Sequence, residues 1–269
     1  SLIKLTSQSE DKKNLIGIKM DMQENWHTYW KNPGDSGGPI KVKWKTDNNI
    51  EIGEIKWPSP ELIPYEPLMT YGYKDFVIFP FEFTKKDTLN TNIEIAIDFL
   101  ICDDICVPEK AFIKTSLEEI SEDISIAKWN EMVPTSVLPV LTEINDKYID
   151  IRFSNNNEID SVIFFIDNQN IVNHAGRQII KKEENNWLLR VPLVEGYEDF
   201  RMISGVLSVN DSENYLIQSN IDLNSSNDSS FTFLQALLFA FIGGLILNLM
   251  PCVFPIISLK ILSLSLIHI

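Results

Sequence analysis

The stretch FLICDDICVP, residues 99–108, decides the fold class of this chain. Phe99–Ile101 is apolar and predicts a β-strand, Asp103–Asp104 is typical of a turn, and Ile105–Val107 predicts the start of a returning strand. A hairpin loop this short brings the Cα atoms of Cys102 and Cys106 to the separation of about 4.4–6.8 Å that a disulfide needs. The pair is therefore predicted to form and break a bond without movement of the fold.

The residues of this stretch leave three interpretations of Cys102 and Cys106 open. The first is a structural disulfide in an exported β-protein. A bridge across so few residues removes little entropy from the unfolded chain, so a second interpretation is an exchanging, redox-active pair. The third is a zinc or copper site, although neither a second cysteine pair nor a histidine cluster accompanies the two cysteines.

Short apolar and β-branched segments on both sides of the hairpin predict an all-β fold. Turn-forming residues separate the predicted strands, at the spacing typical of antiparallel β-sandwiches. We predict one sandwich over residues 1–120, a helical linker over 121–135 and a second sandwich over 136–225. The linker contains the best helical candidate, Ser121–Met132, which Pro134 is expected to stop. The predicted strands are residues 15–20, 40–44, 50–55, 76–83, 93–101, 148–153, 161–166, 178–182, 187–191, 202–209 and 215–221.

The C-terminal part has a different composition. Residues 231–259 contain no Lys, Arg, Asp or Glu. This length can cross the roughly 30 Å hydrocarbon layer as a helix, so residues 231–263 are predicted to be a transmembrane helix at which a larger membrane domain is truncated. Lys260, near the C-terminal end of this segment and after its uncharged part, indicates a cytoplasmic C-terminal side. Residues 264–269 are interpreted as a sequencing artefact, and the start, which lacks Met, as processed or truncated.

The net charge excludes one large class of function. Formal net charge is −15 and the sequence pI is about 4.6, with no basic cluster. Such a surface repels phosphate backbones, so nucleic acid is not an expected partner.

Residues 34–39, GDSGGP, match the letters around the nucleophilic serine of trypsin-like proteases. Those enzymes place this motif after two barrels that supply the histidine and aspartate, whereas His27 is the only histidine that precedes it here. The motif is therefore predicted to be a glycine-rich turn between strands.

The third cysteine, Cys252, lies between Pro251 and Pro255 within the predicted membrane helix. Two prolines open the hydrogen bonding of such a helix, which is tolerated where the backbone faces protein or water. We interpret Cys252 as a thiol that takes part in redox chemistry rather than in packing.

These motifs together resemble one family. Residues 247–260 resemble the first transmembrane helix of the DsbD/ScsB protein-disulfide reductases, which are related to the CcdA cytochrome c biogenesis proteins. Residues 26–37, Tyr71–Tyr73 and 102–109 resemble the N-terminal periplasmic domain of the same family. The resemblance covers residues 1–120 and 231–262, whereas the middle region matches by position only.

The resemblance implies a function and a location. In that family, electrons pass from cytoplasmic thioredoxin through a membrane cysteine pair and a thioredoxin-like domain to an immunoglobulin-like periplasmic domain, which reduces client proteins. It implies two immunoglobulin-like sandwiches at residues 1–230 in the periplasm, a bacterial inner-membrane anchor in contact with lipid, and no cofactor besides cysteine pairs. The expected partners are cytoplasmic thioredoxin through the membrane domain, a thioredoxin-like domain missing from this chain, and thioredoxin-fold clients linked to cytochrome c maturation, disulfide isomerisation or stress tolerance.

The resemblance also implies residue roles. Cys102 and Cys106 are the terminal donor pair, Cys106 forms mixed disulfides, and Cys102 resolves them, while Cys252 is half of the membrane pair. The neighbouring residues support these roles. Pro108 is expected to leave Cys106 at an open strand edge, and the apolar run before Cys102 is expected to bury that cysteine. Met69–Tyr71 aligns with a loop that caps the active site, with Tyr71 as its single aromatic.

Two functions of other classes remain possible at this point. One is a membrane-anchored β-sandwich interaction module with a structural disulfide. The other is a periplasmic copper-handling protein that uses the cysteines with Met69 or His27.

Overall fold

The computed structural model describes residues 2–10, 13–184, 186–197, 200–222 and 237–244. The chain divides into two compact units, Ser1–Ser225 and Ser226–Ile269. The larger unit is mostly β-sheet with few helices, as the alternating apolar residues predict.

The N-terminal region contains two antiparallel sheets. One has the order β1-β2-β8-β5, and the other has the order β10-β9-β3-β7-β6 with β4 also paired to β9. The apolar faces of the two sheets pack against each other, for example through Phe79 of the first and Ile95 of the second. The strands are β1 (Leu2–Glu10), β2 (Lys13–Asp21), β3 (His27–Gly34), β4 (Lys41–Thr46), β5 (Ile50–Ile52), β6 (Glu61–Tyr65), β7 (Leu68–Lys74), β8 (Phe76–Lys85), β9 (Asn92–Cys102) and β10 (Cys106–Ser116).

Two short helices follow this region, a 3₁₀ helix over Leu117–Glu119 and α1 over Ser125–Glu131. The helix α1 lies inside the stretch Ser121–Met132 that the sequence predicts as helical. It is packed rather than free, because Ile126 is fully buried against Leu15 and Ile78. The linker segment therefore contributes to the core of the N-terminal region.

The second region forms one seven-stranded sheet in the order β13-β16-β17-β11-β12-β15-β14. β17 joins its two halves, since it pairs antiparallel with β16 and parallel with β11. The apolar faces enclose a separate core that includes Phe164, Leu189 and Ile203. The strands are β11 (Val140–Asn145), β12 (Tyr148–Phe153), β13 (Val162–Ile166), β14 (Ile179–Lys182), β15 (Trp187–Pro192), β16 (Met202–Val209) and β17 (Glu213–Asp222).

The two β-regions share part of one core. Phe165 and Val206 of the second region pack into the core of the first. The Asn32 side-chain amide donates to the Ile166 carbonyl at 2.7 Å, and Lys31 pairs with Asp167 at 2.7 Å. Apolar burial and satisfied polar contacts thus hold the regions together within the larger unit.

The predicted transmembrane helix at residues 231–263 falls mostly outside the described residues. Residues 237–244 are helical. Within the described part of the chain, no helix has the length and apolarity required to cross a membrane. Cys252 and residues 264–269 also lie outside the described residues.

Candidate functional site

The β9–β10 hairpin carries the cysteine pair, as the sequence predicts. Cys102 and Cys106 are the last register pair before the three-residue loop 103–105. Their Cα atoms are 4.1 Å apart and their sulfurs are bonded. Among the described strands, β10 lies at the edge of its sheet. The disulfide is therefore held at the end of a long hairpin, on a strand with one open side.

The two sulfurs occupy different environments. Cys102 is 1% exposed, whereas Cys106 is exposed at the surface next to Ile105, which is 68% exposed. Cys102 is buried at the end of β9, and Cys106 begins a strand whose even-numbered residues face solvent. An incoming thiolate can reach Cys106, while Cys102 lies behind it, in the order of burial expected from the sequence.

Tyr29 contacts both sulfurs. Its hydroxyl lies 2.6 Å from the Cys102 Sγ and 3.3 Å from the Cys106 Sγ. Disulfide sulfurs carry no hydrogen, so the hydroxyl is the donor. Burial raises the pKa of Tyr29 above its ordinary value of 10.0, which keeps the phenol protonated at neutral pH. The site thus contains a fixed hydrogen-bond donor aimed at the buried sulfur.

His27 is the second buried polar group beside the pair. It lies opposite Cys102 in the register of β3 and β9, and its ring meets the Tyr29 ring edge-on with centroids 5.3 Å apart. Burial lowers the pKa of His27, as does the positive charge of Lys74, while Asp103 opposes them. The imidazole is therefore neutral at neutral pH.

A surface cleft of about 490 Å³ lies beside the hairpin loop. Its lining includes Asp103 and Asp104 of the loop and His27 of β3. The lining also includes the end of β6, residues 63–65, where Tyr65 is 52% exposed. Cys106 itself is not among the residues that line this cleft.

The structure places the predicted cap residues elsewhere. The Tyr71 ring is fully buried and meets Trp30, Phe165 and His174 edge-on, rather than lying beside the disulfide. The physical reason is strand alternation, because Gly72 and not Tyr71 lies opposite Tyr29.

The other two predicted cap residues bind the glycine-rich loop. The Thr70 hydroxyl is 3.1 Å from the Ser36 hydroxyl, and the Met69 amide donates to the Asp35 carboxylate at 2.8 Å. None of these three residues has a contact in the described structure that supports a role as a cap over the disulfide.

Sequence reasoning missed Tyr29, and it placed His27 with the cysteine pair only in the copper-handling alternative. Tyr29 and His27 lie within the quoted stretch 26–37, but nothing local assigns them to a hairpin about seventy residues later. Their spacing of two, which puts both side chains on one face of a strand, was the available signal. For the metal-site alternative, the described residues contain no group of three His, Cys, Asp or Glu side chains arranged to hold a metal ion.

Two comparisons with known proteins gave a match, one to the sequence of the N-terminal region and one to the fold. Residues 2–117 match the family described as "Thiol:disulfide interchange protein DsbD, N-terminal". The structure of the N-terminal periplasmic domain of ScsB from Proteus mirabilis is similar, with a TM-score of 0.63 at 17% sequence identity. That similarity covers 81% of this chain and 92% of the other, and at this identity it shows a shared fold. No curated protein matches the chain.

Proposed function

We propose that this chain is the terminal module of a protein-disulfide reductase, in which Cys102 and Cys106 exchange electrons with partner proteins. The observation that carries the proposal is the asymmetry of the pair. Cys106 is exposed at a strand edge, while Cys102 is buried against the hydroxyl of Tyr29. The match of residues 2–117 to a thiol:disulfide interchange domain supports it.

The proposed reaction starts from the reduced pair. The Cys106 thiolate attacks a client disulfide, one client sulfur leaves as a thiolate and takes a proton, and a mixed disulfide forms at Cys106. The Cys102 thiolate then attacks the Cys106 sulfur, which reforms the internal disulfide and releases the second client thiolate. Two electrons and two protons thereby pass to the client, and the pair is oxidised.

Tyr29 has a role in this proposal that follows from its distance to Cys102. A hydroxyl donor 2.6 Å from the sulfur stabilises the thiolate that resolves the mixed disulfide. Burial keeps the pKa of Tyr29 high, so the proton stays on the phenol and remains available as a hydrogen bond. Tyr29 is thus proposed as a catalytic residue.

The wider relay is also part of the proposal. Residues 1–230 lie in the periplasm, and residues 231–263 begin an inner-membrane domain in which Cys252 is half of a second pair. Electrons would come from cytoplasmic thioredoxin through that domain and a thioredoxin-like domain. The resemblance of residues 247–260 to a reductase membrane helix and the periplasmic origin of the similar ScsB domain support this arrangement.

A trapping experiment tests the proposed function. The probe is a thioredoxin whose buried cysteine is serine and whose exposed cysteine carries a thionitrobenzoate disulfide. With Cys252→Ser as background, Cys102→Ser should accumulate a covalent complex with thioredoxin on a non-reducing gel, and Cys106→Ser should not. Accumulation only with Cys106→Ser would reverse the two roles. No complex with either variant would contradict the proposal and favour a structural disulfide.

A further inference from the structure

The glycine-rich loop between β3 and β4 lies directly on the tyrosine that contacts the disulfide. Gly37 has a φ of +92°, a conformation that side chains rarely adopt. A Cβ atom at this position would lie 2.1 Å from the Cε1 and Cζ atoms of Tyr29. Carbon atoms in contact prefer separations of about 3.5–4.0 Å, so the loop approaches this closely only because residue 37 lacks a side chain.

The loop is fixed on its other side by β7. The Asp35 amide donates to the Met69 carbonyl at 3.0 Å, and the Met69 amide donates to the Asp35 carboxylate at 2.8 Å. The Ser36 and Thr70 hydroxyls are 3.1 Å apart. Because the loop is tied to β7, a side chain at residue 37 would displace the Tyr29 ring rather than the loop.

The end of that ring is the part that matters for the disulfide. The Cζ atom that a Cβ would meet carries the hydroxyl that lies 2.6 Å from the Cys102 Sγ. Tyr29 is 1% exposed, so its ring has little free space to move into. A shift of about 1.5 Å would stretch the contact beyond hydrogen-bond length.

We propose that Gly37 is a positioning residue for the Cys102–Cys106 pair, because its missing side chain lets the Tyr29 hydroxyl reach the buried sulfur. The inference rests on the proposed exchange function and assigns a role to the motif GDSGGP. It concerns the step in which Cys102 is the leaving or the resolving thiolate.

Reduction by dithiothreitol isolates that step. One dithiothreitol thiolate attacks the Cys106 sulfur, the Cys102–Cys106 bond breaks, and Cys102 leaves as a thiolate that accepts the Tyr29 hydrogen bond and then a proton from solvent. The second dithiothreitol thiol loses its proton and attacks the mixed disulfide, and Cys106 leaves and is protonated. Dithiothreitol becomes a cyclic disulfide, and two electrons and two protons reach the pair.

The test compares Gly37→Ala with Gly38→Ala in a Cys252→Ser background. A Cβ at residue 38 would meet only the Leu100 side chain at 3.6 Å, an ordinary contact, so Gly38→Ala controls for the added methyl group. Gly196→Ala, at a φ of +74° with nothing within 4 Å of the added Cβ, controls for the positive φ. Gly37→Ala should slow reduction by dithiothreitol about tenfold, the loss expected for a hydrogen bond to a charged group, and Gly38→Ala should not. Tyr29→Phe should slow reduction by a similar factor.

Two further readouts separate positioning from loss of stability. In the reduced protein carrying Cys106→Ser, thiolate absorbance should show about tenfold less Cys102 thiolate at a given pH for Gly37→Ala than for Gly38→Ala. The effect of Gly37→Ala on the reduction rate should also vanish in a Tyr29→Phe background, because both changes remove the same hydrogen bond.

The outcomes are distinguishable from failure of the proposed function. If the parent protein exchanges with thioredoxin but Gly37→Ala matches Gly38→Ala, only the inference is overturned. If Gly37→Ala does not fold, it should fold when combined with Tyr29→Ala, which removes the ring. If that combination also fails to fold while Gly196→Ala folds, the contact with Tyr29 is overturned as the reason why residue 37 is glycine.

Discussion

The chain contains two hairpins with loops of the same length and different closures. The β9–β10 hairpin has the loop 103–105 closed by Cys102 and Cys106, and the β16–β17 hairpin has the loop 210–212 closed by Val209 and Glu213. In the second, Asn210 and Asp211 adopt positive φ angles of 50° and 56°, which turn the chain without a covalent link. Loop 103–105 has no residue with positive φ.

The difference shows that a three-residue hairpin in this protein does not need a disulfide to close. Asn210 completes the second loop by accepting hydrogen bonds from the amides of Asp160 and Ser161. A bridge across a loop of this length also contributes little stability. The features particular to the first hairpin are chemical: an exposed sulfur, a buried sulfur and the Tyr29 hydroxyl. These features favour a disulfide that exchanges with partner thiols over one that only stabilises the fold.

The largest expected effect concerns the core that joins the two hairpin-bearing regions. Phe165→Ala should lower the free energy of unfolding by about 3–5 kcal/mol, because it removes a buried ring that contacts Trp30 and Tyr71. Urea denaturation followed by tryptophan fluorescence measures this change. Phe112, which is 67% exposed, is the control, and Phe112→Ala should cost within about 0.5 kcal/mol. Equal losses for the two variants would contradict the shared core.

The comparison of hairpins predicts a smaller effect for the bridge. The double variant Cys102→Ser/Cys106→Ser should fold and lose about 2 kcal/mol or less of unfolding free energy, because the closed loop is short. In the other hairpin, Asn210→Ala should lose about 1–2 kcal/mol through its positive φ and lost hydrogen bonds. Thermal unfolding of both variants checks this. A serine pair that fails to fold would show that the first hairpin depends on its bridge.

The smallest expected effect is a dependence of stability on pH from one histidine in each region. Burial is the main cause that lowers the pKa of His27 and of His174 below the ordinary 6.5. The unfolded chain then binds more protons than the folded protein below about pH 6.5, so stability is present above that pH and is lost as the pH falls further. The slope is at most about 1.4 kcal/mol per pH unit for each histidine.

Denaturation midpoints between pH 7.5 and pH 5 measure this dependence. His27→Gln and His174→Gln should each flatten the profile, and the double variant should flatten it most. An unchanged slope in both single variants would contradict the assigned burial of the imidazoles.

Several strands were predicted to within one residue at each end. The prediction for residues 148–153 and 202–209 matches β12 and β16, and the alternation of isoleucines found β9 to within one residue at each end. β3 was missed because it is buried on both faces, which removes the alternation from its sequence.

The site was predicted only where it is local. The hairpin and the burial order of its cysteines follow from residues 99–108 themselves. The Tyr29 contact and the buried position of Tyr71 depend on pairing between distant strands, β3 with β9 and β3 with β7, which a local pattern does not contain. Gly37 was correctly predicted as part of the loop between strands. The need for glycine at this position comes from its close approach to the Tyr29 ring, which the local sequence does not show.

The reduction potential of the Cys102–Cys106 disulfide tests the central claim most directly. The measurement equilibrates the chain, with Cys252→Ser, in buffers of reduced and oxidised dithiothreitol or glutathione, and quantifies the alkylated thiols. An exchanging pair should have a potential between about −120 and −270 mV, the range of thiol–disulfide exchange proteins. A potential below about −300 mV, which is typical of structural disulfides, would contradict the account.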